Sequence, residues 1–197
     1  MTVAIINNGG ANMNSLIYAL KRLNLDPLLT DNADEIAKAS HVILPGVGHA
    51  TDSMARLKSQ RTDQLISTLT QPVLGICLGM QLMYDYSEEG NTNCLSVIDG
   101  KVRKMDGSID RPAPHMGWNQ IDVKNDHDVF NDIADGSYFY FVHGYTADVN
   151  EYTIASSDYG YPFTAVAARD NFIGVQFHPE RSGPVGAQLL RNFVALT

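Results

Sequence analysis

The sequence predicts an α/β fold built on a central, mostly parallel sheet flanked by helices, with shorter antiparallel strands in the C-terminal half. Two observations carry this. Up to residue 87, short apolar runs alternate with helix-period segments, the rhythm of parallel strands joined by crossover helices. Beyond residue 97 the apolar segments shorten and are punctuated by turn residues, the pattern of strands joined without helices. A length of 197 residues, 44% apolar, with 16 Gly and 8 Pro, fits one domain spanning 1–197 and excludes disorder, collagen-like repeats and a disulfide scaffold.

Taken in order, Val3-Ala4-Ile5-Ile6 reads as the first strand and Gly9-Gly10 as the turn after it, leading into a helix over 14–23. A strand over 27–30, a helix over 34–39, a strand over 41–44 and one long helix over 53–69 follow. The apolar run 73–76 is the next strand, and 79–87 has helical spacing. Farther on, 138–142, 153–156, 165–169 and 172–177 have the aromatic and β-branched composition of strands, and 185–196 closes the chain as a helix. No internal repeat, linker or low-complexity segment interrupts this order.

Charge narrows the partners. Lys plus Arg number 14 against 22 Asp plus Glu, a net charge of −8, which repels a phosphate backbone and argues against nucleic acid. The N-terminus has no basic region ahead of an apolar stretch, and no run approaches 18 apolar residues, so a cytoplasmic protein with no membrane partner is expected. Cys77 and Cys94 show no metal-type spacing and would be thiols in a reducing compartment. His41, His49 and His127 have no ligand spacing either and read as surface or loop residues. No metal site and no cofactor are expected.

The chemistry is concentrated in three places. Gly75-Ile76-Cys77-Leu78-Gly79 follows an apolar strand and opens a helical pattern, the form of a nucleophile elbow with Cys in the place of Ser. Flanking glycines permit the tight strand-to-helix turn, and a helix N-terminus favours a thiolate. His178-Pro179-Glu180 stands at the end of a predicted strand and offers a base, His178, with a carboxylate, Glu180, to orient it. Pro45-Gly46-Val47-Gly48 follows the strand over 41–44, at the sheet edge where open α/β folds bind ligands. Its backbone N–H groups, with that of Leu78, suit an oxyanion hole. Alone, the elbow cysteine could be a buried packing residue and the His-Pro-Glu run a surface turn; the two together point to nucleophilic catalysis.

The elbow Gly75-Ile76-Cys77-Leu78-Gly79-Met80-Gln81 together with His178-Pro179-Glu180 resembles the class I glutamine amidotransferases. Pro114-His115-Met116-Gly117-Trp118-Asn119, Phe141-Val142-His143 and the run 176–183 are similar, within that family, to the glutaminase subunits of imidazole glycerol phosphate synthases, and the likeness covers essentially the whole chain. The resemblance implies the class I glutamine amidotransferase fold. It makes Cys77 the nucleophile, His178 the base, Glu180 its partner, and Gly46, Val47 and Gly48 the oxyanion strand. It places Gln81, Glu89, His143, Gly144 and Tyr145 around substrate glutamine. Position 144 is usually Ser or Thr in that family, and only a backbone N–H remains here; position 7, commonly Asp, is Asn7.

It further implies a (β/α)8-barrel cyclase as heterodimer partner, fed with ammonia to make imidazole glycerol phosphate in histidine biosynthesis. Asn12, Trp118, Tyr140 and Arg181 are the candidates for the docking surface, although a lone Trp is as readily a core residue. Gln81 lies one helical turn beyond Cys77 on the same face, whereas Glu88-Glu89 could be a solvated acidic pair. Three other readings stand beside this one. They are a paralogous glutaminase serving another amidation such as surface-sugar modification, a free-standing cysteine hydrolase, and a binding subunit with a relic site.

Overall fold

The structure is a computed structural model and describes residues 1–9, 13–46 and 48–197. Asn12 and Val47, assigned above to docking and to the oxyanion strand, lie outside the described residues. The first half runs β1 (Val3–Ile6), α1 (Met13–Lys21), β2 (Leu28–Thr30), α2 (Ala33–Lys38), β3 (His41–Gly46), α3 (Ala50–Ser59), α4 (Thr62–Ile66), β4 (Val73–Cys77) and α5 (Leu78–Gln81). Next come β5 (Tyr86–Ser87), β6 (Thr92–Asn93), β7 (Lys101–Lys104), β8 (His115–Gln120) and β9 (Asp122–Val123). The last third carries β10 (Tyr138–His143), β11 (Tyr145–Ala147), β12 (Thr153–Asp158), β13 (Pro162–Arg169), β14 (Phe172–Val175) and α6 (Gly183–Ala195).

The main sheet has the order β2-β1-β3-β4-β14-β13-β12-β9. From β2 to β14 neighbouring strands are parallel, and β13, β12 and β9 continue antiparallel. Such a sheet is buried on both faces, which is why its strands read as continuous apolar runs. In β1, Val3 and Ile5 pack toward α1 and α6 (Leu20, Leu190, Phe193), while Ala4 and Ile6 pack toward α2, α3 and α4 (Ile36, Leu57, Ile66). Strands β8 and β10 pair as a separate antiparallel ribbon, and β11-β7-β5-β6 form a small sheet.

Three local expectations are corrected. The long helix expected over 53–69 is two helices, because Arg61 adopts a left-handed conformation (φ 57°) between α3 and α4. The helix expected over 79–87 stops at Gln81. The carbonyls of Leu82, Met83 and Tyr84 accept hydrogen bonds from the N–H groups of Leu95, Val97, Ile98 and Ser96 instead of continuing a helical ladder, and Tyr86–Ser87 is a strand. His41, expected at the surface, is buried at the start of β3, with Nε2 3.0 Å from the Leu196 carbonyl and its ring edge-on to Phe193. Burial holds its pKa below the ordinary histidine value.

Candidate active site

The carboxyl edge of the parallel sheet gathers the chemistry. Cys77 closes β4 in a conformation rare for a side-chain-bearing residue (φ 53°, ψ −110°), the sharp turn an elbow requires; such strain costs on the order of 1–3 kcal/mol and persists only where the surroundings enforce it. The surroundings do so by close backbone approach. Gly46 lies opposite Cys77 in the parallel register. A Cβ on Gly46 would press into the Leu78–Gly79 peptide, and one on Gly79 into the Leu44 carbonyl. A Cβ on Gly75 would stand 2.8 Å from the Gly79 carbonyl. Only glycine lets β3, β4 and the first turn of α5 come this near.

His178 follows β14, and a single 3-10 turn, Pro179–Arg181, carries Glu180. The turn is pinned to β10: the His178 N–H donates to the Tyr140 carbonyl (2.9 Å), the Ser182 hydroxyl donates to the His178 carbonyl (2.7 Å), and Ser182 Oγ accepts from the Tyr140 N–H (3.0 Å). Within it His178 Nδ1 and Glu180 Oε1 are 2.9 Å apart, with both side chains almost fully buried. Burial alone would push the imidazole toward its neutral form; hydrogen bonds and charge from Cys77 and Glu180 outweigh it and raise the pKa to about 10. The ring is therefore an imidazolium at neutral pH, the natural counter-ion of a thiolate. The Cys77 thiol also lies 3.6 Å from the Val142 carbonyl, on β10.

Cys77 and His178 open onto a cavity of about 600 Å³, large enough for an amino-acid substrate. Gly46, Gly48 and Leu78 line it beside the thiol, and Leu78 is the first helical residue, whose N–H has no intrahelical partner. Gln81, Glu89, His143, Gly144 and Tyr145 line the same cavity. Glu89 is not a free surface charge: its Oε2 accepts from the Ala50 N–H at 2.7 Å and so caps α3. Gln81 Nε2 donates to the Tyr145 carbonyl (3.0 Å) and to Gln176 Oε1 (2.9 Å). His143 Nδ1 donates to the same Tyr145 carbonyl (2.9 Å), and its Nε2 faces His115 Nδ1 at 3.0 Å. Burial is the main reason both rings stay neutral, lowering the His115 pKa to about 4 and that of His143 to about 3.

Gln176, which the sequence patterns do not single out, also belongs to the site, between Gln81 and Cys77. Its signal was a polar amide at the end of the apolar strand Phe-Ile-Gly-Val, immediately before Phe177-His178. Pro114 also lines the cavity. Of the docking candidates, Trp118 is not a core residue. It is 55% exposed, on the outward face of the β8–β10 ribbon with Met116 and Tyr138. Its ring meets Tyr140 edge-on at 5.9 Å, and the Arg181 guanidinium stands 5.9 Å from the Tyr140 ring. Arg181 reaches the cavity rim as well. Among the described residues, no helix is long and apolar enough to cross a membrane.

Comparison with known proteins matches residues 4–196 to the family model "Glutamine amidotransferase class-I". The chain is 51% identical over 192 residues to the imidazole glycerol phosphate synthase subunit HisH of Pasteurella multocida, covering 98% of this chain and 96% of that one. It is 47% identical over 197 residues to the subunit of the same name from Escherichia coli, covering both chains fully. Among solved structures, a glutamine amidotransferase superposes with a TM-score of 0.76 at 15% identity, over 98% of this chain and 97% of that one. A glutamine amidotransferase from Thermotoga maritima gives 0.67 at 18% identity, over 99% and 83%. At such identities these structures speak to the shared fold.

Proposed function

The chain belongs to the class I glutamine amidotransferases, and on that premise we propose that it is the glutaminase of a two-subunit imidazole glycerol phosphate synthase, with Cys77, His178 and Glu180 as its catalytic triad. It releases ammonia from glutamine for a partner subunit to use in histidine biosynthesis. The carrying observation is the Cys77 elbow facing the Glu180-held His178 across one cavity, in a chain about half identical to HisH subunits over its full length.

Cys77 Sγ attacks the side-chain carbonyl carbon of glutamine, and the carbonyl oxygen takes the negative charge. Backbone N–H groups of Gly46, Gly48 and Leu78 receive that charge; one such donor is worth about 3–4 kcal/mol. His178 then gives its proton to the departing nitrogen, the C–N bond breaks, and ammonia leaves a glutamyl thioester. Water attacks the thioester, His178 takes up its proton, and the C–S bond breaks to release glutamate. Glu180 keeps the imidazole in place and offsets its charge. Gln81 and Glu89 hold the substrate's amino-acid end, with His143, Gly144 and Tyr145 forming the wall around it. Where Ser or Thr is usual, Gly144 leaves its backbone N–H as the donor.

The acceptor is a (β/α)8-barrel cyclase that docks on the β8–β10 ribbon. Met116, Trp118, Tyr138 and Tyr140 make that face apolar, and Arg181 beside the cavity rim suits a carboxylate on the barrel. The seat of the reaction is the cytoplasm, and residues 1–197 act as one domain. The test is a glutaminase assay with and without the purified barrel partner and its nucleotide ligand. Ammonia release that needs neither partner nor Cys77 would refute the assignment. The paralogous and free-standing hydrolase readings have no observation in their favour.

A further inference from the structure

Gln176 is fully buried one residue past the end of β14, and it is the polar side chain that touches both halves of the site. The orientation of its carboxamide follows from the network around it. The Tyr145 carbonyl can only accept, so the Gln81 atom 3.0 Å from it is the nitrogen. That nitrogen spends its second hydrogen on Gln176, 2.9 Å away, so the Gln176 atom facing it is Oε1. The remaining end of Gln176, Nε2, then faces Cys77 Sγ at 3.8 Å. Both hydrogens of Gln81 point inward, and its Oε1, which accepts no protein hydrogen bond among the described residues, is left as an acceptor for the cavity.

Resting on the glutaminase reading, we propose that Gln176 is a positioning residue of the reaction. Its carboxamide locks Gln81 so that an acceptor faces the substrate's ammonium group, and the same group donates an N–H to the nucleophilic sulfur. Neither task can be done by a residue of the other hydrogen-bonding sense. If Gln176 turned over, its oxygen would face the sulfur and its nitrogen would face the Gln81 nitrogen, donor against donor. The Tyr145 carbonyl forbids that arrangement, because it already fixes Gln81.

Two substitutions separate the tasks in the full chain assayed with its partner. Gln176→Glu keeps an acceptor for Gln81 but has no donor for the sulfur, so KM for glutamine should stay within about twofold while kcat falls about tenfold or more. Gln176→Met loses both bonds, so KM should also rise about threefold to tenfold. Iodoacetamide labelling of Cys77 should slow in both. A residue that merely filled space would move kcat and KM without this split. Should either variant fold poorly, Gln81→Glu supplies the check from the other side. It offers Gln176 only acceptors, turns the carboxamide over and slows Cys77 labelling, an effect absent once Gln176 is Met. Unchanged labelling in Gln81→Glu, or kcat, KM and labelling all within twofold in the Gln176 variants, would overturn the role of Gln176 and leave the glutaminase reading standing. An unmutated complex that releases no ammonia from glutamine would remove both.

Discussion

The buried pair His115 and His143 should make the protein acid-labile at a pH where most carboxylates are still ionised. Both rings are neutral in the folded chain, and each holds its proton on Nδ1: His143 donates to the Tyr145 carbonyl, and His115 donates to His143 Nε2. A second proton on His143 would have to occupy the nitrogen that already accepts from His115. With folded pKa values of about 4 and about 3 against about 6.5 unfolded, the unfolded chain binds protons that the folded chain refuses. Stability therefore falls as pH drops below about 6.5, the His115 share down to about 4 and the His143 share down to about 3. Between pH 7 and pH 5 each ring costs about 2 kcal/mol. His178 acts with the opposite sign. Its folded pKa of about 10 gives stability that is fully present below about 6.5 and lost as pH rises through about 10, returning about 1 kcal/mol over the same interval. These three rings together give a net loss of about 3 kcal/mol, a large share of the 5–15 kcal/mol of an ordinary domain, and His41 and His127, whose pKa values burial also lowers, add to it. Urea unfolding followed by circular dichroism at several pH values measures it directly. His115→Phe keeps a ring stacked between Phe141 and Tyr159 and removes one of the two protons, so the loss of stability between pH 7 and pH 5 should shrink by about 2 kcal/mol. Equal stability at pH 7 and pH 5, or an unchanged loss in His115→Phe, would mean that the two rings do not stay neutral in the folded chain.

A glutamine-mimicking electrophile should label Cys77 and spare Cys94, whose thiol burial pushes up to about 11; peptide mass spectrometry showing label mainly on Cys94 would overturn the nucleophile assignment. His178→Ala should lower glutaminase turnover about 10²- to 10⁴-fold, and Glu180→Gln should cost less, since the carboxylate orients the ring without transferring the proton. The reverse ranking would contradict those roles. Trp118→Ala should weaken binding of the barrel partner by about 2 kcal/mol or more, measured by calorimetry; unchanged affinity in both Trp118→Ala and Arg181→Ala would move the docking face elsewhere. Cys77→Ala should abolish glutamine-dependent synthesis in the complex yet leave synthesis driven by ammonium salt, because the acceptor chemistry belongs to the partner.

Local patterns were legible in the sequence to the extent that their causes were local. The elbow glycines and the His-Pro-Glu turn each set their own backbone, so Cys77, His178 and Glu180 could be singled out before the fold brought them together. The parallel strands were equally plain, since a sheet covered on both faces must be apolar throughout. What failed to show were features decided by distant partners. The end of α5 at Gln81 is set by N–H groups of residues 95–98, which compete for the carbonyls of Leu82, Met83 and Tyr84. Strand β8 alternates His, Gly and Asn with Met, Trp and Gln, and becomes a strand by pairing with β10, whose Phe139 and Phe141 enter the core. His41 is buried because the chain end returns to it through Leu196. Gln176 carries no local mark of its two contacts, which come from β4 and α5.

On the proposed function, strand β10 links the docking face to the candidate active site. Its alternation sends Tyr138, Tyr140 and Val142 outward beside Trp118 and Met116, and Phe139, Phe141 and His143 inward. The backbone between these faces is committed to the site. The Tyr140 carbonyl accepts from the His178 N–H, the Tyr140 N–H donates to Ser182 Oγ, and the Val142 carbonyl faces the Cys77 thiol. One extended strand thus has a docking candidate on one side, the cavity-lining His143 on the other, and Cys77 and His178 against its own peptide groups. A shift of β10 by even a fraction of a hydrogen-bond length would move His178 and the Val142 carbonyl together, because two bonds tie the His-Pro-Glu turn to Tyr140. Any partner that presses on Trp118 and Tyr140 therefore acts on the strand that contacts both Cys77 and His178.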